Sequence, residues 1–337
     1  MTDLTADTAT TPGRRTPTQT VAGWQRRAPV LQIVALVVLF IYGSVDIPGF
    51  GDWLNVKSML VLAALLALAS LGQTLVLIIG GIDFSVPGFI LMGAIVMTEL
   101  FGPNGWPALP AILIAILIAA ILGGSAGLIC HTFRIQPLIV TLGMGGLAAG
   151  GALAWTDGKI SGEVPTFLST LTSTNETTFG FDVPPLVVIT IVLAVLVGVI
   201  LQRTSLGRRF YATGANPRAA AIIRVDTKKM WVGVFALSAV CSALVGILLA
   251  GFSGVDPSVG DPYLFQGLTA VIVGGTTIMG ARGDYTHTVI GALILTVITT
   301  IFVGKDIDIA TQQIIFGVLI LLVVAMYGRG RRLRDRV

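Results

Sequence analysis

The stretch "LIIGGIDFSVPGF", Leu77 to Phe89, decides how the chain is read, because it sets a carboxylate beside a Gly-Gly pair inside apolar sequence. Between Ser58 and Thr98, Asp83 is the only charged residue. A charge at the centre of a lipid-facing helix costs about 2.5–3.5 kcal/mol on insertion scales, and each interior glycine about 1 kcal/mol relative to alanine. Both costs fall away if a helix ends here. Gly80 or Gly81 then supplies a left-handed helix C-terminus. Asp83 or Ser85 caps the next helix against the positive end of its dipole, and Pro87 suits the first turn. Three readings stand: a tight turn between helices at the inner face, a break at membrane depth that lines a polar path, or a proton or ion site, which is disfavoured because no second buried carboxylate or histidine stands in a neighbouring run to relay charge.

The surroundings support membrane crossing. Hydrophobic residues make up 54% of the 337 and charged residues 11%, against roughly 25% charged in soluble domains; the mean hydropathy is +0.91. Apolar runs of about 20 residues match the ~30 Å hydrocarbon core. Ten such runs lie near 29–45, 56–79, 84–101, 108–130, 137–155, 184–202, 229–251, 264–281, 287–303 and 309–327. The expected fold is an all-α polytopic membrane protein with ten transmembrane helices in a domain spanning 29–328. A polar tail, 1–28, is expected to be disordered in the cytoplasm, and a basic cytoplasmic tail follows at 329–337. With both termini inside, 18 of the 21 Lys and Arg fall on the cytoplasmic side, as the positive-inside rule requires. Lys57, Lys159 and Lys305 fall outside. The expected location is a bacterial inner membrane.

Cys130 and Cys241 lie in or beside apolar runs, which excludes a disulfide scaffold and points to buried thiols. His131 and His287 stand 156 positions apart without a ligand pattern, so no metal site is expected. The external loop at 156–183 is long enough to hold a small structured element or to meet an outside partner, and a plain solvated loop is the competing reading.

Among the inward-facing segments, "QRTSLGRRFYATGANPRAAAIIRVDTKKM", Gln202 to Met230, has its own pattern. Asn216 reads as an N-cap with Pro217 at the first helical position. A short helix is expected over Arg218 to Val225. So short a helix needs something to pack on, and Ile222 and Ile223 beside small alanines make a knob for a groove on another protein. The competing reading is that the basic residues bind anionic lipid headgroups. A second Gly-Gly stands in "AVIVGGTTIMGARGD", Ala270 to Asp284; whether it duplicates the first is left open by such short matches.

Three separated stretches carry a family resemblance: Gly80-Gly81-Ile82-Asp83-Phe84-Ser85-Val86, Thr204 to Ala212 with Gly214-Ala215-Asn216 and Ala219-Ala220, and Val273 to Gly280 with Gly283 and Gly291-Ala292. In this order the chain resembles the permease subunits of bacterial ATP-binding-cassette sugar importers of the ribose type, over about 30–327. The resemblance implies a permease working as a pair, identical or not, with a cytoplasmic ATPase and an external solute-binding protein as partners. It makes the segment 203–229 the coupling loop, through Gly207, Arg208, Ala212, Gly214, Asn216, Ala219 and Ala220. Gly80, Gly81, Asp83, Ser85, Gly274, Gly275 and Thr276 are candidates for the pathway or a helix break. Pro87, Phe89 and Ala281-Arg282-Gly283 depart from the family blocks.

No G-x-x-x-x-G-K-[ST] occurs, so nucleotide phosphates are not cradled that way here. The chain is expected to have no catalytic residues, to bind no cofactor, metal or nucleic acid, and to leave ATP and Mg to a partner. Within the superfamily, a branched-chain amino-acid or nucleoside importer permease is the alternative. A secondary transporter would need buried ionisable residues for coupling, and a membrane enzyme a gathered His, Asp, Glu or Cys set; the sequence favours neither.

Overall fold

The computed structural model describes residues 29–160 and 162–328, with the backbone alone for 323–328. The expected tails at 1–28 and 329–337 lie outside the described residues. Within them the chain forms thirteen helices: α1 Val30–Asp46, α2 Trp53–Ile78, α3 Val86–Phe101, α4 Ala108–Phe133, α5 Pro137–Trp155, α6 Thr166–Thr172, α7 Pro185–Arg203, α8 Ser205–Ala215, α9 Pro217–Ile222, α10 Thr227–Ser253, α11 Asp261–Val273, α12 Tyr285–Gly304 and α13 Ile309–Gly328. Each of the ten apolar runs holds one of these helices. Six of them (α2, α4, α5, α7, α10 and α12) are long and apolar enough to cross a membrane.

Side-chain size, more than polarity, separates inside from outside. On α4, Ala111, Ala115 and Ala119 face inward and are fully buried, while Leu109, Leu113, Leu117 and Ile121 on the opposite face are more than half exposed. A soluble helix does the reverse, burying its large apolar side chains. Small residues inside and large ones outside are what lipid demands, because association then rests on close backbone packing. The α3–α10 contact shows this: a Cβ on Gly246 would lie 1.9 Å from the Ile90 carbonyl oxygen, and one on Gly93 2.3 Å from that of Ala243.

The centre of the bundle is α2, apolar on every face and buried along almost its whole length, as an all-round apolar helix must be. It packs on α10, α12 and α11, and α10 also packs on α4 and α3. Cys130 and Cys241 are buried free thiols. Two expectations need correction. The eighth apolar run does not stay helical to 281: α11 stops at Val273, because Gly274-Gly275 terminates it. The stretch before Asn216 is helical as well, as α8. The loop at 156–183, expected to be external, carries the short helix α6 and a tight turn, Thr178 to Phe181, closed by two backbone hydrogen bonds of 3.0 Å.

Candidate functional site

The two Gly-Gly pairs build the same helix terminus twice. After α2, Gly80 adopts φ +88°; its N–H donates to the Leu77 carbonyl at 2.9 Å, and that of Gly81 to Val76 at 2.9 Å. After α11, Gly275 adopts φ +90°; its N–H donates to Ile272 at 2.9 Å, and that of Thr276 to Val271 at 3.1 Å. This paired 5→2 and 6→1 closure satisfies orphan carbonyls, and its left-handed residue is normally glycine. Gly274 keeps right-handed helical geometry at the C-cap.

The restart of the chain is also repeated. Asp83 Oδ1 accepts from the Ser85 N–H at 2.9 Å and from the Ser85 hydroxyl. Asp284 Oδ1 accepts from the Thr286 N–H at 2.9 Å and from its hydroxyl at 2.8 Å. The same pair of hydrogen bonds thus recurs in Asp83-Phe84-Ser85, just ahead of α3, and in Asp284-Tyr285-Thr286, where Asp284 is the N-cap of α12. The structure brings the two breaks together, with the Ala281 N–H donating to the Ile78 carbonyl at 2.8 Å.

Their surroundings differ. Asp83 is 2% exposed, and its Oδ2 accepts from the Ser238 hydroxyl of α10 at 2.6 Å. Ser238 lies eleven residues into α10, roughly 16 Å along the helix from Thr227. The Phe84 N–H donates to Thr141 Oγ1 of α5 at 3.0 Å. Gly80 sits at the bundle's end and is exposed, but Asp83 is recessed, so a tight turn at the rim describes only the start of the break. Ser85 also does not cap α3: it stands at the N-cap, but its side chain makes no capping bond and spends its hydroxyl on Asp83. Beside Asp83, Gln73 Nε2 donates to its backbone carbonyl at 3.4 Å. Gln73 Oε1 and the Thr276 hydroxyl are buried without a partner. Ser238, Gln73 and Thr141 were missed from sequence; Ser238 and Ser242, one turn apart in α10, were the available signal.

Between α7 and α10 the chain forms α8 and α9. Thr204 caps α8 by accepting from the Gly207 N–H at 3.4 Å, and Gly207 is required because a Cβ there would stand 1.9 Å from the Leu201 carbonyl oxygen. Arg208 and Arg209 are exposed and Ala212 is half-buried. Asn216 caps α9 as expected, its Oδ1 accepting from the N–H groups of Arg218 at 3.0 Å and Ala219 at 3.1 Å. The helix is shorter than expected: it ends at Ile222, and Arg224 turns left-handed at φ +59°. Ile222 is 82% exposed and Ile223 68%. Ala219 and Ala221 are exposed, whereas Ala220 is buried, which makes Ala220 a packing position.

The segment also reaches the breaks. The Tyr211 hydroxyl donates to the Gly283 carbonyl at 2.7 Å. Burial first, and the Asp284 charge second, push this phenol up to about 12, so it stays a donor at neutral pH. A Cβ on Gly214 would lie 1.9 Å from the Ile78 carbonyl oxygen and 2.9 Å from the Ala281 nitrogen. At the opposite end of the bundle, Lys57 Nζ pairs with Asp182 at 2.9 Å and Trp53 Nε1 donates to the same carboxylate at 2.5 Å, tying the loop at 156–183 to α2.

Comparison with known proteins gives a consistent result. Residues 55–324 match the family model described as branched-chain amino acid transport system / permease component. The chain is 33% identical to the ribose import permease protein RbsC of Haemophilus influenzae over 293 residues, covering 86% of this chain and 90% of the relative. It is 31% identical to the ribose import permease protein RbsC of Bacillus subtilis, covering 90% and 92%. It is 30% identical to the autoinducer 2 import system permease protein LsrC of Escherichia coli O9:H4, covering 93% and 90%. No solved structure matches.

Proposed function

The chain belongs to this permease-component family of membrane transport systems, and on that premise we propose that it is the inner-membrane subunit of an ATP-driven importer for a monosaccharide or a similar small polar solute. The sugar class is supported by the likeness to the two ribose import permeases. The family description keeps a branched-chain amino acid as the alternative cargo. In this reading the bundle crosses the bilayer ten times with both termini in the cytoplasm. ATP and Mg are held by a separate ATPase, an external solute-binding protein delivers the cargo, and a second permease subunit completes the conduit. Closure of the ATPase pair on nucleotide displaces α9, and the paired bundles exchange outward- and inward-open states. Nucleotide drives this only through its differential binding to the two states.

The observation that carries the reading is α9. A six-residue helix is too short to be stable in water alone. This one is capped at both ends and presents Ile222 and Ile223 outward, which suits a groove on a partner. The test is to purify the tagged chain gently from membranes, identify the ATPase that accompanies it, and compare Ile222→Asp. Retention of the ATPase by the unaltered chain, with at least a tenfold loss of retention and of ATP-driven uptake in the variant, supports the proposal. Equal retention and uptake overturn it. Ligand screening of the accompanying binding protein decides between sugar and amino acid.

A further inference from the structure

Contact between the coupling segment and the two helix breaks is more specific than docking requires. Three links meet at one point. Tyr211 donates to the Gly283 carbonyl, in the second break. The backbone of Gly214 lies against both Ile78, at the end of α2, and Ala281, in the second break. Ala281 in turn donates to Ile78. The breaks also touch through their glycines, since a Cβ on Gly280 would stand 3.2 Å from the Gly80 Cα.

We propose that Tyr211 and Gly214 are positioning residues that clamp both helix breaks to the coupling segment, so that displacement of α8 and α9 moves the two breaks as one unit. The proposal rests on the permease reading and deepens it. Gly214 sets the approach: no side chain fits between it and the Ile78 carbonyl, so α8 sits directly on the end of α2. Tyr211 sets the direction, because one hydroxyl hydrogen bond at 2.7 Å ties the same helix to the far side of the second break. Movement then passes along α2 and through Asp83 to Ser238 in α10. Both residues are half-buried against the breaks, whereas Ile222 and Ile223 are exposed, so they serve transmission and leave ATPase capture to α9.

The test uses the assembled importer in proteoliposomes and the variant Tyr211→Phe, which removes only the hydroxyl. Three quantities are read: ATPase bound per permease, ATP hydrolysed, and solute imported per ATP. The expected result is unchanged ATPase association, hydrolysis within twofold, and a fall of about fivefold or more in solute imported per ATP. A merely structural role would lower the amount of complex and leave that ratio intact. An unchanged ratio overturns the proposal, and so does loss of ATPase association, because Tyr211 is assigned no part in docking. Gly214→Ala is the second variant: a lowered ratio supports the clamp, and an assembled complex with a normal ratio contradicts it. If the unaltered chain shows no ATP-driven uptake, the permease reading fails and the clamp falls with it; if it transports normally and the variants match it, the clamp alone fails.

Discussion

The breaks after α2 and after α11 share a backbone and differ in what surrounds it. Each stops a helix with a left-handed glycine and restarts the chain with an Asp-aromatic-hydroxyl turn. The first restarts within a few residues, and its aspartate is sealed among hydroxyls. The second runs from Gly274 to Asp284 before α12 begins, exposes Met279 and Arg282, and takes the contact from Tyr211. Equal geometry with unequal burial separates a first break whose aspartate is sealed in the core from a second that opens to the surface at Met279 and Arg282. Helix α8 touches both, the first through Gly214 and the second through Gly214 and Tyr211.

The largest expected effect separates the two aspartates. Asp83→Ala leaves the Ser85 and Ser238 donors buried without an acceptor and is expected to cost about 3 kcal/mol. Asp284→Ala removes the half-buried N-cap of α12 and is expected to cost about 1 kcal/mol. Thermal midpoints of the two purified variants in one detergent check this; equal losses would break the distinction between a sealed and an open joint. Asp83→Asn, which keeps one acceptor oxygen, should fall between them.

The glycines test the similarity itself. Gly80→Ala meets no atom within 4 Å, and Gly275→Ala meets only the Gln32 amide at 3.9 Å. Each therefore carries little beyond the cost of a left-handed L-residue, about 1–2 kcal/mol. Matching shifts in thermal midpoint sharpen the equivalence of the two termini, and a large excess at either position breaks it.

The smallest effect concerns neither break and serves as their reference. The hydrogen bond from Lys57, and then that from Trp53, hold the Asp182 carboxyl below the usual carboxylate range. Its folded pKa is depressed, so this link is fully present above the ordinary carboxylate pKa and is lost as pH falls through the lowered value. Fluorescence of Trp53, with the other four tryptophans replaced by Phe, should be steady from pH 7 to pH 5 and change only in stronger acid. A change near neutrality would contradict the pairing.

Much of this was legible in the sequence, for physical reasons that also explain the gaps. Apolar runs found a helix in every expected segment because membrane helices need no polar face. The same signal ran past the end of α11, since Val273, Ile278 and Met279 continue the apolar run while Gly274-Gly275 stops the helix. The cap at Asn216 was readable because Asn-Pro satisfies two local rules at once. Helix α8 was missed although Gly207, Phe210 and Gly214 follow helical spacing, because two of those positions are glycines that count neither as apolar nor as helix formers. The partner of Asp83 was out of reach: Ser238 is 155 residues away, and only the fold brings it there.

The central claim is that a separate ATPase works on the segment 203–229 from the cytoplasmic side. It is tested most directly by Ile222→Cys, because both native thiols, Cys130 and Cys241, are buried. A membrane-impermeant thiol reagent should leave this cysteine unmodified in intact cells, modify it in inverted vesicles stripped of the ATPase, and be blocked when the ATPase is restored. Labelling in intact cells, or labelling that the ATPase does not affect, would contradict the account.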